Sequence, residues 1–143
     1  MGFDLDYERL VYLDAEDLAE DGIGEAYERL LPELQRYLLQ PARVEEVLDK
    51  DKAIYSVRCG GKEYAIYGLG LSEDGGGSWG RATVAFFALV NGQLAHSEFR
   101  FYAISGGNDL GGMFLTPAQS LEARTSLPSS TDWPYFPKDE PPW

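Results

Sequence analysis

The chain has 143 residues, one cysteine and one histidine, is 44% hydrophobic with 13% aromatic residues, and carries a formal net charge of −12 at pH 7. This length fits one domain able to bury a core, and the apolar content excludes global disorder. A lone Cys59 excludes an intramolecular disulfide and fits a reducing cytoplasm, a lone His96 excludes a multi-histidine zinc site within one chain, and the negative charge argues against nucleic acid or anionic lipid as partners.

The start, Met1-Gly2-Phe3-Asp4-Leu5-Asp6, is acidic and alternating, so a conventional secretory signal is not expected. Asp14, with Asp17 three residues on, predicts an N-cap opening a short helix to about Glu20, which Gly22 interrupts. Ile23, Ala26, Tyr27, Leu30, Leu31, Leu34, Tyr37 and Leu38 then recur at helical spacing, predicting an amphipathic helix with a kink or a second start at Pro32 and an end before Pro41. Residues 1–51 hold 15 of the 24 acidic residues against five basic ones, so this third of the chain carries −10 of the total. Asp14, Glu16, Asp17, Glu20, Asp21, Glu25 and Glu28 make an acidic face that repels phosphate and draws cationic partners at long range. Like charges at i, i+4 (Glu16/Glu20, Asp17/Asp21, Asp21/Glu25) oppose helix formation by about 0.2–0.5 kcal/mol each. The plainer alternative is a solvated face that serves solubility alone.

Three strand-like runs follow, Val44 to Leu48, Ile54 to Cys59 and Glu63 to Leu69, with Gly60-Gly61 as a two-residue hairpin between the last two. Residues 70–80 form a glycine-dense loop. Beyond it, Asn91-Gly92 predicts a hairpin joining strands at 82–90 and 93–104, pairing Phe87 with His96, Ala85 with Glu98 and Thr83 with Arg100. The rival is a helix over 79–95, since Trp79, Thr83, Phe86, Phe87, Val90 and Leu94 also fall near helical spacing. On the strand reading, His96, Glu98, Arg100 and Tyr102 share one face. That face is either a polar site, joined by Asn108 and Asp109 of the next glycine loop, or a solvated sheet surface. Thr116-Pro117 predicts a helix start and a helix to about residues 124–126. The last 16 residues hold five of the eight prolines, and 127–143 read as an aromatic strap over the core or as a recognition segment.

Gly75-x-Gly77-x-x-Gly80 matches the dinucleotide fingerprint as a string, but that fingerprint needs a parallel βαβ unit, and Glu73 and Asp74 at its mouth repel phosphate. Neither glycine loop has the alternating acidic pattern and terminal glutamate of a calcium loop. The acidic neighbours Glu45/Glu46 point to opposite faces of a strand, so they cannot share a proton as a catalytic pair. No nucleophile, base and acid set is evident, and no cofactor or metal is implied.

The strings Ser78-Trp79-Gly80-Arg81, Gly106-Gly107-Asn108-Asp109-Leu110-Gly111-Gly112 and Asp132-Trp133-Pro134-Tyr135 resemble those of small, acidic, uncharacterised bacterial proteins, a likeness that carries no assigned chemistry. In size, acidity and lack of a catalytic set the chain is also similar to immunity proteins of bacterial toxin systems, some of which cover cationic nuclease toxins. The expected architecture is a single α+β domain over 1–143, a mainly antiparallel sheet of five or six strands with N-terminal helices and one later helix packed on it. The expected function is non-catalytic binding of a basic protein in the cytoplasm through Glu16, Asp17, Glu20, Asp21, Glu25 and Glu28. The alternative is a small-molecule or enzymatic site at His96, Glu98, Arg100, Tyr102, Asn108 and Asp109.

Overall fold

Side-chain capping starts the first helix where the spacing places it. In the computed structural model, which describes residues 7–49, 51–68 and 77–137, Asp14 Oδ1 accepts the Glu16 N–H at 2.9 Å, and α1 spans Ala15–Glu20. The second helix, α2, spans Ile23–Leu34 and buries Ile23, Ala26, Tyr27, Leu30 and Leu34. It passes through Pro32 as one helix and stops two residues later, so of the kink or second start expected there the second start does not occur. Tyr37 and Leu38 belong to the turn that follows, where they still pack on the core.

The first meander forms as expected. Strands β2 (Val44–Asp49), β3 (Ile54–Cys59) and β4 (Lys62–Tyr67) make an antiparallel sheet in the order β2-β3-β4. Gly60 and Gly61 turn the β3–β4 hairpin at φ of +58° and +80°, a pair of conformations that only glycine adopts without strain.

The predicted hairpin at Asn91-Gly92 does not form. Residues Gly77–Gln93 are a 17-residue helix, α3. Its buried positions, among them Ala82, Ala85, Phe86, Leu89 and Val90, cover most of the cylinder and leave one narrow face exposed at Ala88 and Gly92. A helix buried over most of its circumference belongs in the core, and α3 packs against α1, α2, β4 and the later strand β5 (Arg100–Ile104). The pairs Phe87/His96, Ala85/Glu98 and Thr83/Arg100 are therefore absent. Instead β5 pairs with β6 (Gly111–Leu115), which also pairs with the two-residue β1 (Val11–Tyr12), in the order β1-β6-β5. The described residues thus form two three-stranded antiparallel sheets rather than one of five or six strands.

Both faces of the second sheet are covered. Phe101 and Phe114 face the main core, stacking in a run from Phe87 through Phe101 and Phe114 to Tyr37 with ring centroids 4.6–4.7 Å apart. Tyr102, Ile104, Met113 and Leu115 form a smaller core with Ala123 of α4 (Pro117–Ser126). The half-wet polar face expected here does not exist. Thr116 and Gln119 close a capping box at the start of α4. Beyond α4, Trp133 Nε1 donates to the Leu127 carbonyl at 2.9 Å, Tyr135 exchanges backbone hydrogen bonds with Ala103 at 2.8 and 3.0 Å, and Phe136 stacks on Tyr102.

Candidate functional site

The outer edge of β5 shows how this chain treats exposed backbone. Asn91, in the last turn of α3, accepts the Phe101 N–H at 2.7 Å and donates to the Phe101 carbonyl at 2.9 Å. Tyr135 does the same for Ala103 through its backbone, and its hydroxyl donates to the Ser105 carbonyl. A side chain and a strap residue together substitute for a neighbouring strand.

The residues proposed for a polar ligand site are spread among structural tasks. His96 and Glu98 lie exposed in the turn and bend after α3, not on a strand. Arg100 Nη1 donates to the carbonyls of Leu94, Ser97 and Phe99 at 2.6–2.7 Å, holding the chain that leaves α3. Tyr102 is buried beneath Phe136. Asn108 and Asp109 belong to a 3-10 turn docked on α1, with Asn108 Nδ2 donating to Asp14 Oδ1 at 3.1 Å and to Glu16 Oε1 at 3.3 Å. In the same loop Leu110 is buried and its carbonyl accepts the Leu13 and Asp14 N–H groups. A Cβ on Gly112 would lie 2.1 Å from Phe101 Cζ. The loop thus packs closely on its own core, with positive φ angles at Ser105 and Gly107.

Gly77 and Gly80 of the glycine fingerprint open α3, so a helix follows them where a strand was expected, while Gly75, Glu73 and Asp74 lie outside the described residues. The preceding β4 is antiparallel to β3, so the pair lacks the parallel unit the fingerprint requires. Cys59 is buried, and burial pushes its thiol pKa up. Among the described residues no cluster of three or more metal-ligating side chains occurs and no helix is long and apolar enough to cross a membrane.

The acidic residues divide into two groups. Glu16 and Asp17 are half-buried on α1, Glu16 tied to Asn108. Desolvation, then repulsion from Asp14 and Asp21, raises the Asp17 pKa, so its charge is held at some cost to the fold. Glu20 and Asp21 are exposed at the end of α1, and Glu25 and Glu28 are exposed on α2.

Glu25 and Glu28 also wall an open groove of about 610 Å³ between α2 and β2, with Glu46 on the opposite side. Leu31, Gln35 and Val44 line it further, and Arg43 is its one basic residue. Glu46 is placed by a specific relay: the Ile23 N–H donates to Tyr55 Oη at 2.8 Å, and that hydroxyl donates to Glu46 Oε2 at 2.5 Å. Gly22, the N-cap of α2, has no side chain to offer, so Tyr55 supplies the cap and the carboxylate sits at the positive end of the helix. Burial, reinforced by Glu46, raises the Tyr55 pKa well above the usual phenol range, so the hydroxyl keeps its proton. Gly24 is required for this approach, because a Cβ there would lie 2.3 Å from Glu46 Oε1.

Glu46 and the wall it forms were not among the residues chosen from sequence. Adjacent glutamates on a strand carry no sign of which helix lies alongside. The one local signal is that Val44-Glu45-Glu46-Val47-Leu48-Asp49 breaks the alternation a half-buried strand shows.

No protein-family model, curated protein or solved structure matches the chain.

Proposed function

We propose that this chain is a non-catalytic protein-binding domain whose acidic surface on α1 and α2 engages a basic partner, in the manner of an immunity-type inhibitor. The observation that carries the reading is the groove lined by Glu25, Glu28 and Glu46, with Arg43 as its one basic residue among the described ones, beside the exposed Glu20 and Asp21 of the preceding helix. Three carboxylates along one concavity raise the local concentration of a cation and orient it before contact. The chemistry-bearing residues elsewhere support the same reading by their occupations: Arg100 is spent on carbonyls, Asn108 on the α1 terminus and Cys59 on the core.

The test is capture of partners by the tagged protein in dilute and in concentrated salt, beside a Glu25→Lys/Glu28→Lys variant. A basic protein held by the wild type, released by salt and missed by the variant is the expected result. Equal capture by both forms, or capture indifferent to salt, refutes the acidic surface as the recognition element.

A further inference from the structure

β2 is a six-residue strand paired along its full length on one side only, from Val44↔Cys59 to Asp49↔Ile54. Among the described residues no backbone hydrogen bond outside that ladder reaches 44–49. The other edges differ in part: β5 is closed by Asn91 and Tyr135, β1 has only two residues, and β4, of the same length as β2, gives its Ile66 carbonyl to Arg81 Nε at 2.6 Å and carries a single acidic residue, Glu63, against the three of β2. An open edge of this length is a template for another strand. Its Val47 and Leu48 are 36% and 50% exposed, and a strand laid alongside would cover them.

We propose that β2 is a docking edge, to which an extended, lysine- or arginine-bearing segment of a partner protein adds as a fourth strand, its inward side chains resting in the groove beside Glu25, Glu28 and Glu46. The inference rests on the acidic-surface reading above and adds how the partner is held. Backbone hydrogen bonds along β2 supply sequence-independent attachment, and alternate side chains of the added strand, about two residue spacings apart, meet the carboxylates. The charge selects the occupant. A second copy of β2 would bring Glu45, Glu46 and Asp49 against like charges across the seam, whereas a cationic strand is attracted on both its faces. The same carboxylates that admit a basic segment thus guard the edge against self-association.

The experiment uses the full chain, isotope-labelled for amide NMR, and three synthetic probes of equal charge: an acetylated ten-residue alternating lysine–valine peptide, the same peptide N-methylated at four successive central residues, and a lysine–alanine peptide that forms a helix. The expected result is saturable binding of the first probe, with the largest shifts at the amides of 44–49 and 24–28. N-methylation and the Glu28→Lys substitution should each weaken it by about tenfold or more. Comparable binding of all three probes overturns the docking edge while leaving an acidic binding surface in place. Binding by none of them, or shifts centred away from β2, also overturns the docking edge, and the salt-dependent capture above then judges the acidic surface independently.

Discussion

Asn91 illustrates how one polar side chain can close a sheet. Its amide presents a donor and an acceptor at the spacing of a peptide group, and Phe101, fully buried, has one of each to be met. Removing the amide strands both, and each orphaned buried group costs about 1–3 kcal/mol. Asn91→Ala should therefore lose about 2–4 kcal/mol in urea unfolding; a loss under half a kcal/mol would mean that water reaches Phe101 and the pairing is dispensable. Gln93, two residues on, takes the Ala42 N–H at 2.6 Å and reaches Tyr27 Oη and Cys59 Sγ. Cys59 sits in that network, its thiol raised in pKa by burial. It should react with a disulfide reagent orders of magnitude more slowly in the native protein than in the unfolded chain, since only the thiolate attacks. Rapid native-state labelling would place it at the surface. At this scale the sequence was legible for caps and turns, where Asp14, Thr116 and Gly60-Gly61 act on their immediate neighbours. It was illegible for Asn91, whose partner lies ten residues on and across a sheet.

The central helix is the element on which the two scales conflict. Asn-Gly joins strands when both residues adopt positive φ, but neither Asn91 nor Gly92 does so here. The apolar content of 82–90 suits either a buried strand or a buried helix, because a helix covered over most of its circumference shows only a weak stripe. Burial between α1, α2, β4 and β5 decides the outcome, and that is tertiary information. A substitution separates the alternatives. Gly92 is helical, exposed and has open space where a Cβ would go, so Gly92→Ala should stabilise the protein by up to about 1 kcal/mol through helix propensity. Destabilisation would instead indicate a turn that needs glycine. Reading 82–104 as a hairpin also produced the polar strand face. With α3 in place, His96 and Glu98 leave the strand, and Tyr102 turns into a second small core. By contrast, α1, α2, β3, β4 and α4 follow their patterns because each has one buried side or a local start signal.

Across the whole molecule the net charge of −12 includes charges that the fold holds at some cost. Asp17 is the clearest instance. Its pKa is raised in the folded state, so protonation favours folding: its contribution is most favourable below the unfolded value near 3.8 and is lost as pH rises through the raised folded value. At neutral pH Asp17→Asn should thus raise the melting temperature, and the gain should shrink toward zero as wild-type Asp17 itself protonates in acid. Paired melts of the two proteins at neutral and acidic pH check this, and a variant less stable than wild type at neutral pH would contradict it. The concentration of charge on residues 1–51 was plain from sequence. The groove was not, because it depends on α2 lying beside β2 and on Tyr55 holding Glu46 at the helix terminus.

The central claim is that this charge steers a basic partner onto α1, α2 and the β2 edge. Its most direct test is the association rate of the captured partner followed by stopped-flow across a salt series at constant pH. The rate should fall by about tenfold between roughly 0.02 and 0.5 M salt, with a much weaker dependence in the dissociation rate. An association rate that stays level across the series would contradict the account.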